Sequence, residues 1–260
     1  MKKITLENLE NIFNDLLHAN SFKDYGPNGV QVASSPFCSS ILFAVSSDQT
    51  TIDYAIKHNF DTIVVHHGLF WTYQGAKPIK GFHGERIKKL IRNNINLIAY
   101  HLPLDGHDKV GNAATLAKKL NLTNIEPFGE YKGSLVGVKG EFEKPIKPLQ
   151  FKGQLEKSVR PIIFHASPST DKIKNIGIVT GGANEYWKQA KEEGLDAFLT
   201  GEISEYNYFE AIENNIHYFA CGHHATEKYG VQALKSHLIK NYSKSFKFHQ
   251  LKFFDSKNPV

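Results

Sequence analysis

The sequence predicts an α/β protein made of two pseudo-repeated βαβ-containing halves, an internal duplication, with a β-rich connector and a metal site in the cleft between the halves. Three observations carry this reading. A long stretch of the chain resembles a later stretch; β-branched runs stop abruptly at polar residues; and histidine-carboxylate pairs recur at matching places.

The first element is helical. MKKITLENLENIFNDLL places Glu7, Glu10 and Asp15 among its apolar residues, which makes an amphipathic helix and not the continuously apolar centre of a signal peptide. YGPNGVQV then supplies a Pro-Asn-Gly turn before a strand, where Asn28 either meets a ligand or serves the turn alone. Ile41 to Val45 reads as a buried strand, followed by a serine-containing turn, a helix and a second strand from Thr62 to Val65. Such a βαβ unit favours parallel strands. The second strand stops at His66 and His67, with Gly68 opening a loop. Neighbouring side chains on a regular strand point to opposite faces, so the pair reaches one cleft only where the strand ends, most simply by serving two neighbouring ions, one apiece.

Residues 41–67 align without a gap on residues 176–202, with Ile41 over Ile176, Ala55 over Ala190 and Asp61 over Asp196. The second copy has strands at Ile176 to Val179 and Ala197 to Leu199, and its second strand ends in Gly201 and Glu202. RNNINLIAYHLPLD (92–105) lies over ENNIHYFACGHHATE (213–227) with one extra residue, so each half has a third strand followed by histidine, three residues and a carboxylate. A helix follows in each, GNAATLAKKL and YGVQALKSHLI. Between the copies, SLVGVKGEF and RPIIFHA read as strands punctuated by Pro145, Pro148 and Pro161, and His165 reads as a structural residue. The expected segments are therefore a first α/β half at 1–130, the connector at 131–166 and a second α/β half at 167–260.

Ligand sites in parallel sheets gather at the carboxyl ends of strands, where all of these polar residues fall. A histidine and a carboxylate four apart share a helical face or flank a tight turn, and suit one borderline divalent ion. Two equivalent pairs beside His66 and His67 point to a metal centre fed by both halves. Spacing alone does not choose Asp105 over His101, or His223 over His224.

Composition narrows the rest. The chain has 260 residues, 41% hydrophobic and 22% charged, with 31 basic residues spread along it and a net charge of +5. No dense basic block marks a nucleic-acid surface, and no apolar run approaches the ~20 residues that cross a bilayer. Two cysteines are too few for a disulfide framework, which suggests a reducing cytoplasm. Cys221, beside the second histidine pair, invites a catalytic-thiol reading, but a small half-buried residue is the simpler account. Phe70 and Trp71 either stack on a purine or fill an interface. Gly181 and Gly182 follow a strand yet lack the remaining residues of a phosphate-binding loop.

Taken together, YGPNGVQV, VVHHGLFW, NNINLIAYHLPLD, TGEISEYNYFEA and GHHATEKYG resemble the dinuclear metal-centre proteins of the Nif-three-like family, often labelled GTP cyclohydrolase I type 2 homologues. The resemblance covers nearly the whole chain. It implies two α/β halves per subunit, toroidal homohexamers built from dimers, and two divalent cations per subunit, zinc, iron or manganese. It also implies His66, His67, Asp105, His223 and Glu227 as ligands, with Glu227 bridging; His101 reads separately as outer support that holds a ligand in one tautomer. One departure is Gly111-Asn112-Ala113, where family members commonly carry a second Asn or Asp soon after the glycine.

Three imidazoles and two carboxylates leave a pair of divalent ions with surplus positive charge. Such a centre activates water at neutral pH and attracts oxyanions, so hydrolysis of a nucleotide or phosphoester-type small substrate is the expected chemistry. His101, His224 and Glu202 are candidate general acids, or second supports for the ligands. A non-catalytic, metal-stabilised ring that serves as a scaffold is the alternative.

Overall fold

The unbroken apolar run from Ile41 to Val45 becomes a strand covered on both faces, which is why it does not alternate with polar residues. It belongs to a computed structural model that describes residues 2–160, 163–169 and 171–260. Along the chain the elements are β1 (Ile4–Thr5), α1 (Leu6–Leu17), β2 (Gly29–Val32), β3 (Phe37–Cys38), β4 (Ser40–Ser46), α2 (Gln49–Lys57), β5 (Thr62–His67), α3 (Gly81–Arg92), β6 (Asn96–Ala99), α4 (Leu102–Gly106), α5 (Asn112–Lys119), β7 (Thr123–Tyr131), β8 (Ser134–Ile146), α6 (Pro148–Ser158), β9 (Phe164–Ala166), β10 (Ile173–Ile178), α7 (Trp187–Glu192), β11 (Ala197–Thr200), α8 (Glu205–Glu213), β12 (His217–Ala220), α9 (His223–Tyr242) and β13 (Gln250–Phe253).

The chain divides into two units. The first comprises Met1–Leu104 and Gly230–Lys257, the second Asp105–Tyr229 and Asn258–Val260. In the first unit a five-stranded sheet runs β13-β4-β5-β6-β2. Its first four strands are parallel and β2 closes the edge antiparallel to β6. One core gathers Leu42, Ala44, Ile63, Val65 and Leu97 with Ile52 and Leu90 from the helices.

The second unit holds a six-stranded sheet ordered β7-β8-β10-β11-β12-β9. Here β10, β11 and β12 are parallel, while β8 and β9 run antiparallel to their neighbours β10 and β12. Its core joins Ile176, Ile178, Ala197 and Leu199 to Phe151 and Leu155 of α6.

These units are drawn differently from the segments 1–130, 131–166 and 167–260. Strand β7 runs across the 130/131 border, and β8 lies inside the second sheet between β7 and β10. Strand β13, far along the chain, pairs in parallel with β4 and so belongs to the first unit. The strand expected over RPIIFHA appears as β9 from Phe164; Pro161 and Ile162 lie outside the described residues. Helix α9 starts at His223, a turn and a half before the expected YGVQALKSHLI. No helix among the described residues is long and apolar enough to cross a membrane.

The matched pair Asp61 and Asp196 does matching work in each sheet. Asp61 Oδ2 accepts the backbone N–H groups of Ser39 (2.9 Å) and Ser40 (3.0 Å), at the start of β4, from its own place just before β5. Asp196 Oδ2, just before β11, accepts those of Lys174 (2.8 Å) and Asn175 (2.9 Å) in β10. Each carboxylate thus pins the strand beside it and fixes the parallel register, Ile41 opposite Thr62 and Ile176 opposite Ala197.

Two expectations follow from this fold. Asp61→Ala should destabilise the protein by about 2–3 kcal/mol, because charged hydrogen bonds to partly buried amides are lost. In hydrogen exchange, β4 and β5 should lose protection while β10 and β11 keep theirs, and Asp196→Ala should do the reverse. The second expectation concerns His165 on β9, whose ring stacks on Phe219 (4.2 Å between centroids) and whose Nε2 lies 3.2 Å from His217 Nδ1. Burial, then the neighbouring His217 and Lys152 charges, push its pKa down to about 4. The unfolded chain therefore binds a proton that the folded one refuses. Stability from this group is present above about pH 6.5 and is lost as the pH falls toward 4. The acid-side fall in Tm should be shallower in His165→Phe.

Candidate metal centre

In the first unit, β5 delivers His66 and His67 at its carboxyl end. The strand continues through His67, yet the two rings still lie 4.6 Å apart, so the pair converges without the strand stopping first. His66 is buried, and its Nδ1 lies 2.9 Å from the carbonyl of Tyr100. A carbonyl only accepts, so Nδ1 carries the proton and Nε2 keeps the lone pair a metal needs. His67 Nδ1 meets Ser46 Oγ at 3.1 Å, the residue opposite it on β4.

His101 follows β6 and completes the group. Its ring lies 5.0 Å from that of His66 and 5.8 Å from that of His67, and the three residues offer ligand atoms within 4.8 Å of one another. Asp24 Oδ1 accepts a hydrogen bond from His101 Nδ1 at 2.7 Å, while Asp24 Oδ2 accepts from Leu102 N and Asn28 Nδ2. Asn28 Oδ1 accepts from His101 N at 2.8 Å. Burial would raise the Asp24 pKa, but these bonds and the His101 charge outweigh it and hold it below the usual range. Asn28 thus props the His101 segment. Asp24, one residue ahead of YGPNGVQV, was not legible as a partner because only tertiary contact gives it this role.

In the second unit, α4 carries Asp105, buried, with Oδ1 accepting from Asn112 Nδ2 (2.9 Å) and Thr180 Oγ1 (3.0 Å). The residue at the departure from the family pattern is therefore an orienting donor. His223 and Glu227 lie one turn apart on α9, Nε2 to Oε2 3.1 Å, and His223 Nδ1 meets Glu202 Oε1 at 2.6 Å. Asp105 and Glu227 bring carboxylate oxygens within 4.8 Å of each other. His224 joins none of the ligand groups among the described residues.

These donors fit a divalent cation. Bonds of about 2.0–2.2 Å separate neighbouring donors on one ion by roughly 3–3.5 Å, and the His223–Glu227 pair is already at that spacing. Two buried carboxylates this close also demand positive charge. Without a metal, His223 supplies it: burial would lower its pKa, yet Glu227 and Glu202 push it up to about 9. Each of His66, His101 and His223 has Nδ1 tied to an acceptor, the arrangement that orients metal-bound imidazoles. Neither thiol is reactive. Burial raises Cys38 to about 11 and Cys221 further, so the catalytic-thiol reading of Cys221 gives way to a packed core residue.

Gly181 shapes this half of the site. It adopts a left-handed φ of +69°, and a Cβ there would collide with Glu227 Oε1 and stand 3.2 Å from His223 Nε2. Gly181→Ala should weaken divalent-metal binding by about 10–100-fold in competition with a chelating indicator, by displacing the carboxylate. Gly133→Ala, at φ +88° with open space around it, should leave metal affinity unchanged and so separates backbone strain from the loss of the ligand.

Known proteins resemble this chain over nearly its whole length. The "GTP cyclohydrolase 1 type 2 homolog" of Haemophilus influenzae is 42% identical over 256 residues, covering 97% of this chain and 98% of that protein. The protein of that name from Pasteurella multocida is 38% identical over 244 residues, covering 94% and 96%. Among solved structures, protein ybgI, described as of unknown function, superposes with a TM-score of 0.88 at 33% identity over 99% of this chain and 100% of its own. TTHA1606 from Thermus thermophilus gives 0.83 at 29% identity, over 99% of each chain. Residues 4–259 match a single family description. On that match and these relatives, the chain belongs to the Duf34/NIF3 (NGG1p interacting factor 3) family.

Proposed function

We propose that this protein is a metal-dependent hydrolase of a nucleotide or phosphoester-type small substrate, with two divalent cations held by His66, His67, Asp105, His223 and Glu227. The observation that carries the reading is the second unit's own arrangement: buried Asp105 and Glu227 within 4.8 Å of each other, with His223 3.1 Å from Glu227. That is more negative charge than a protein interior keeps without a cation. In this reading Glu227 would serve both ions, and the site would lie between the halves.

Internal duplication explains why both halves contribute. Strands β4, β5, β6 and β10, β11, β12 form parallel triplets of the same order, and Asp61 and Asp196 fill one role in each. When bound, a pair of such ions supplies activated water and draws in an oxyanion. The chain's own groups then hold and orient. Tyr100 O, Asp24 and Glu202 keep three imidazoles in one tautomer, while Asn112 and Thr180 fix Asp105. A hydrolase is favoured over a purely structural site because a closed structural centre is usually satisfied by four Cys or His ligands, whereas five ligands for two ions leave positions open. The subunits are proposed to assemble as a toroidal homohexamer in the cytoplasm. The relatives' name, GTP cyclohydrolase 1 type 2 homolog, supports a nucleotide-type substrate.

Elemental analysis tests the ligands: Glu227→Gln should lower bound divalent metal from two equivalents per chain toward one or none, and full retention removes Glu227 from its bridging place. A panel of nucleotides and phosphoesters tests the activity. Turnover should vanish on chelation and be missing in Asp105→Asn; equal turnover by parent and variant contradicts the proposal.

A further inference from the structure

Beside the histidine cluster of the first unit lies an aromatic shelf that none of the metal ligands explains. Trp71, half-buried, stands edge-on to His101 with ring centroids 5.0 Å apart, and 6.0 Å from His67. Tyr25 meets His101 from another side at 5.8 Å, and Tyr73, 71% exposed, extends the shelf from Trp71 at 6.0 Å and a tilt of 30°. Exposed aromatic surface gathered into one patch, unlike aromatics scattered singly, marks a ligand-binding site.

The shelf is built, not incidental. Thr72 N and Oγ1 both donate to Tyr25 O at 2.6 Å, and Gly26 has no Cβ because one would collide with Phe70 O. The loop carrying Trp71 is thereby clamped to the turn that also props His101 through Asn28. Trp71 also walls a cavity of about 210 Å³, lined further by Pro27, Phe70, Gln74 and Lys77. That is less than the roughly 300 Å³ at which whole-ligand pockets begin, so it suits a single ring system with the rest of the molecule outside. Its polar lining includes Gln74 and Lys77, whose Nζ donates to Gln74 Oε1 at 2.9 Å. The indole N–H of Trp71 has no hydrogen-bond partner among the described residues, leaving a donor for a ring nitrogen or carbonyl.

We infer that Trp71 and the cavity behind it form a ring-stacking subsite that receives the base of a purine nucleotide and leaves its phosphate toward the histidines. This rests on reading His66, His67 and His101 as part of a metal centre. The subsite sets which phosphorylated substrates are taken, since base stacking on an indole tolerates many patterns of polar groups but requires a flat ring.

The test titrates the purified protein with GMP and, separately, with ribose 5-phosphate, following indole emission and measuring binding by equilibrium dialysis. The chain has two tryptophans, and Trp187 is buried, so the signal assigned to Trp71 is the difference from Trp71→Leu. GMP should quench the emission saturably, ribose 5-phosphate should not, and Trp71→Leu should bind GMP about tenfold more weakly while Trp71→Phe stays within about threefold. Equal quenching by the two ligands, or unchanged GMP binding by Trp71→Leu, overturns the inference. Manganese binding by the same samples keeps the two readings apart. Intact metal binding with no specific GMP quenching sinks the subsite alone, whereas GMP quenching without metal binding sinks the metal reading and leaves the subsite.

Discussion

Asp105 and Glu227 are two buried carboxylates whose oxygens approach within 4.8 Å, and the arrangement around them follows from the need to offset that charge. Like charges this close in a poorly hydrated setting raise each other's energy unless a proton or a cation stands between them. Thr180 and Asn112 turn Asp105 by hydrogen bonds to a single oxygen, and Gly181 leaves the space that the Glu227 carboxylate fills. His223 carries a proton in the absence of a metal, held by Glu202 on its far nitrogen. Each group therefore both tolerates the charge and prepares a place for a cation.

The first unit brings three imidazoles together and fixes the Nδ1 side of two of them: His66 Nδ1 donates to the Tyr100 carbonyl, and His101 Nδ1 donates to Asp24. What remains are nitrogen lone pairs collected at the end of β5 and just beyond β6, where a parallel sheet gathers polar side chains. The aromatic shelf begins there too, so recognition and charge are arranged by one loop and one turn.

Much of this was legible in the amino-acid sequence. The gapless match of residues 41–67 to 176–202 places β4, α2 and β5 over their counterparts, because buried parallel strands must be continuously apolar and therefore leave a strong pattern. Spacing at strand ends marked His66 and His67 and the pairs His101–Asp105 and His223–Glu227 as candidates, without choosing Asp105 over His101 or His223 over His224; the set of five ligands came from the family resemblance. Position of the other strands was not legible. QLKF of β13 is short and partly exposed, and nothing local says that it pairs with β4; SLVGVKGEF announces a strand but not that β8 sits inside a sheet. Asp24 and Thr180 were silent for a related reason. A lone acid or hydroxyl gains meaning only from the side chain that the fold brings to it, as happens with His101 and Asp105.

The proposal tested most directly is that the paired carboxylates Asp105 and Glu227 help to hold two neighbouring cations. Electron paramagnetic resonance of the protein loaded with manganese(II) reads this directly, because two ions that share a bridging carboxylate couple magnetically. The account predicts a coupled signal that appears as the second equivalent per chain is added. An uncoupled six-line spectrum at full loading, from isolated ions, would contradict it.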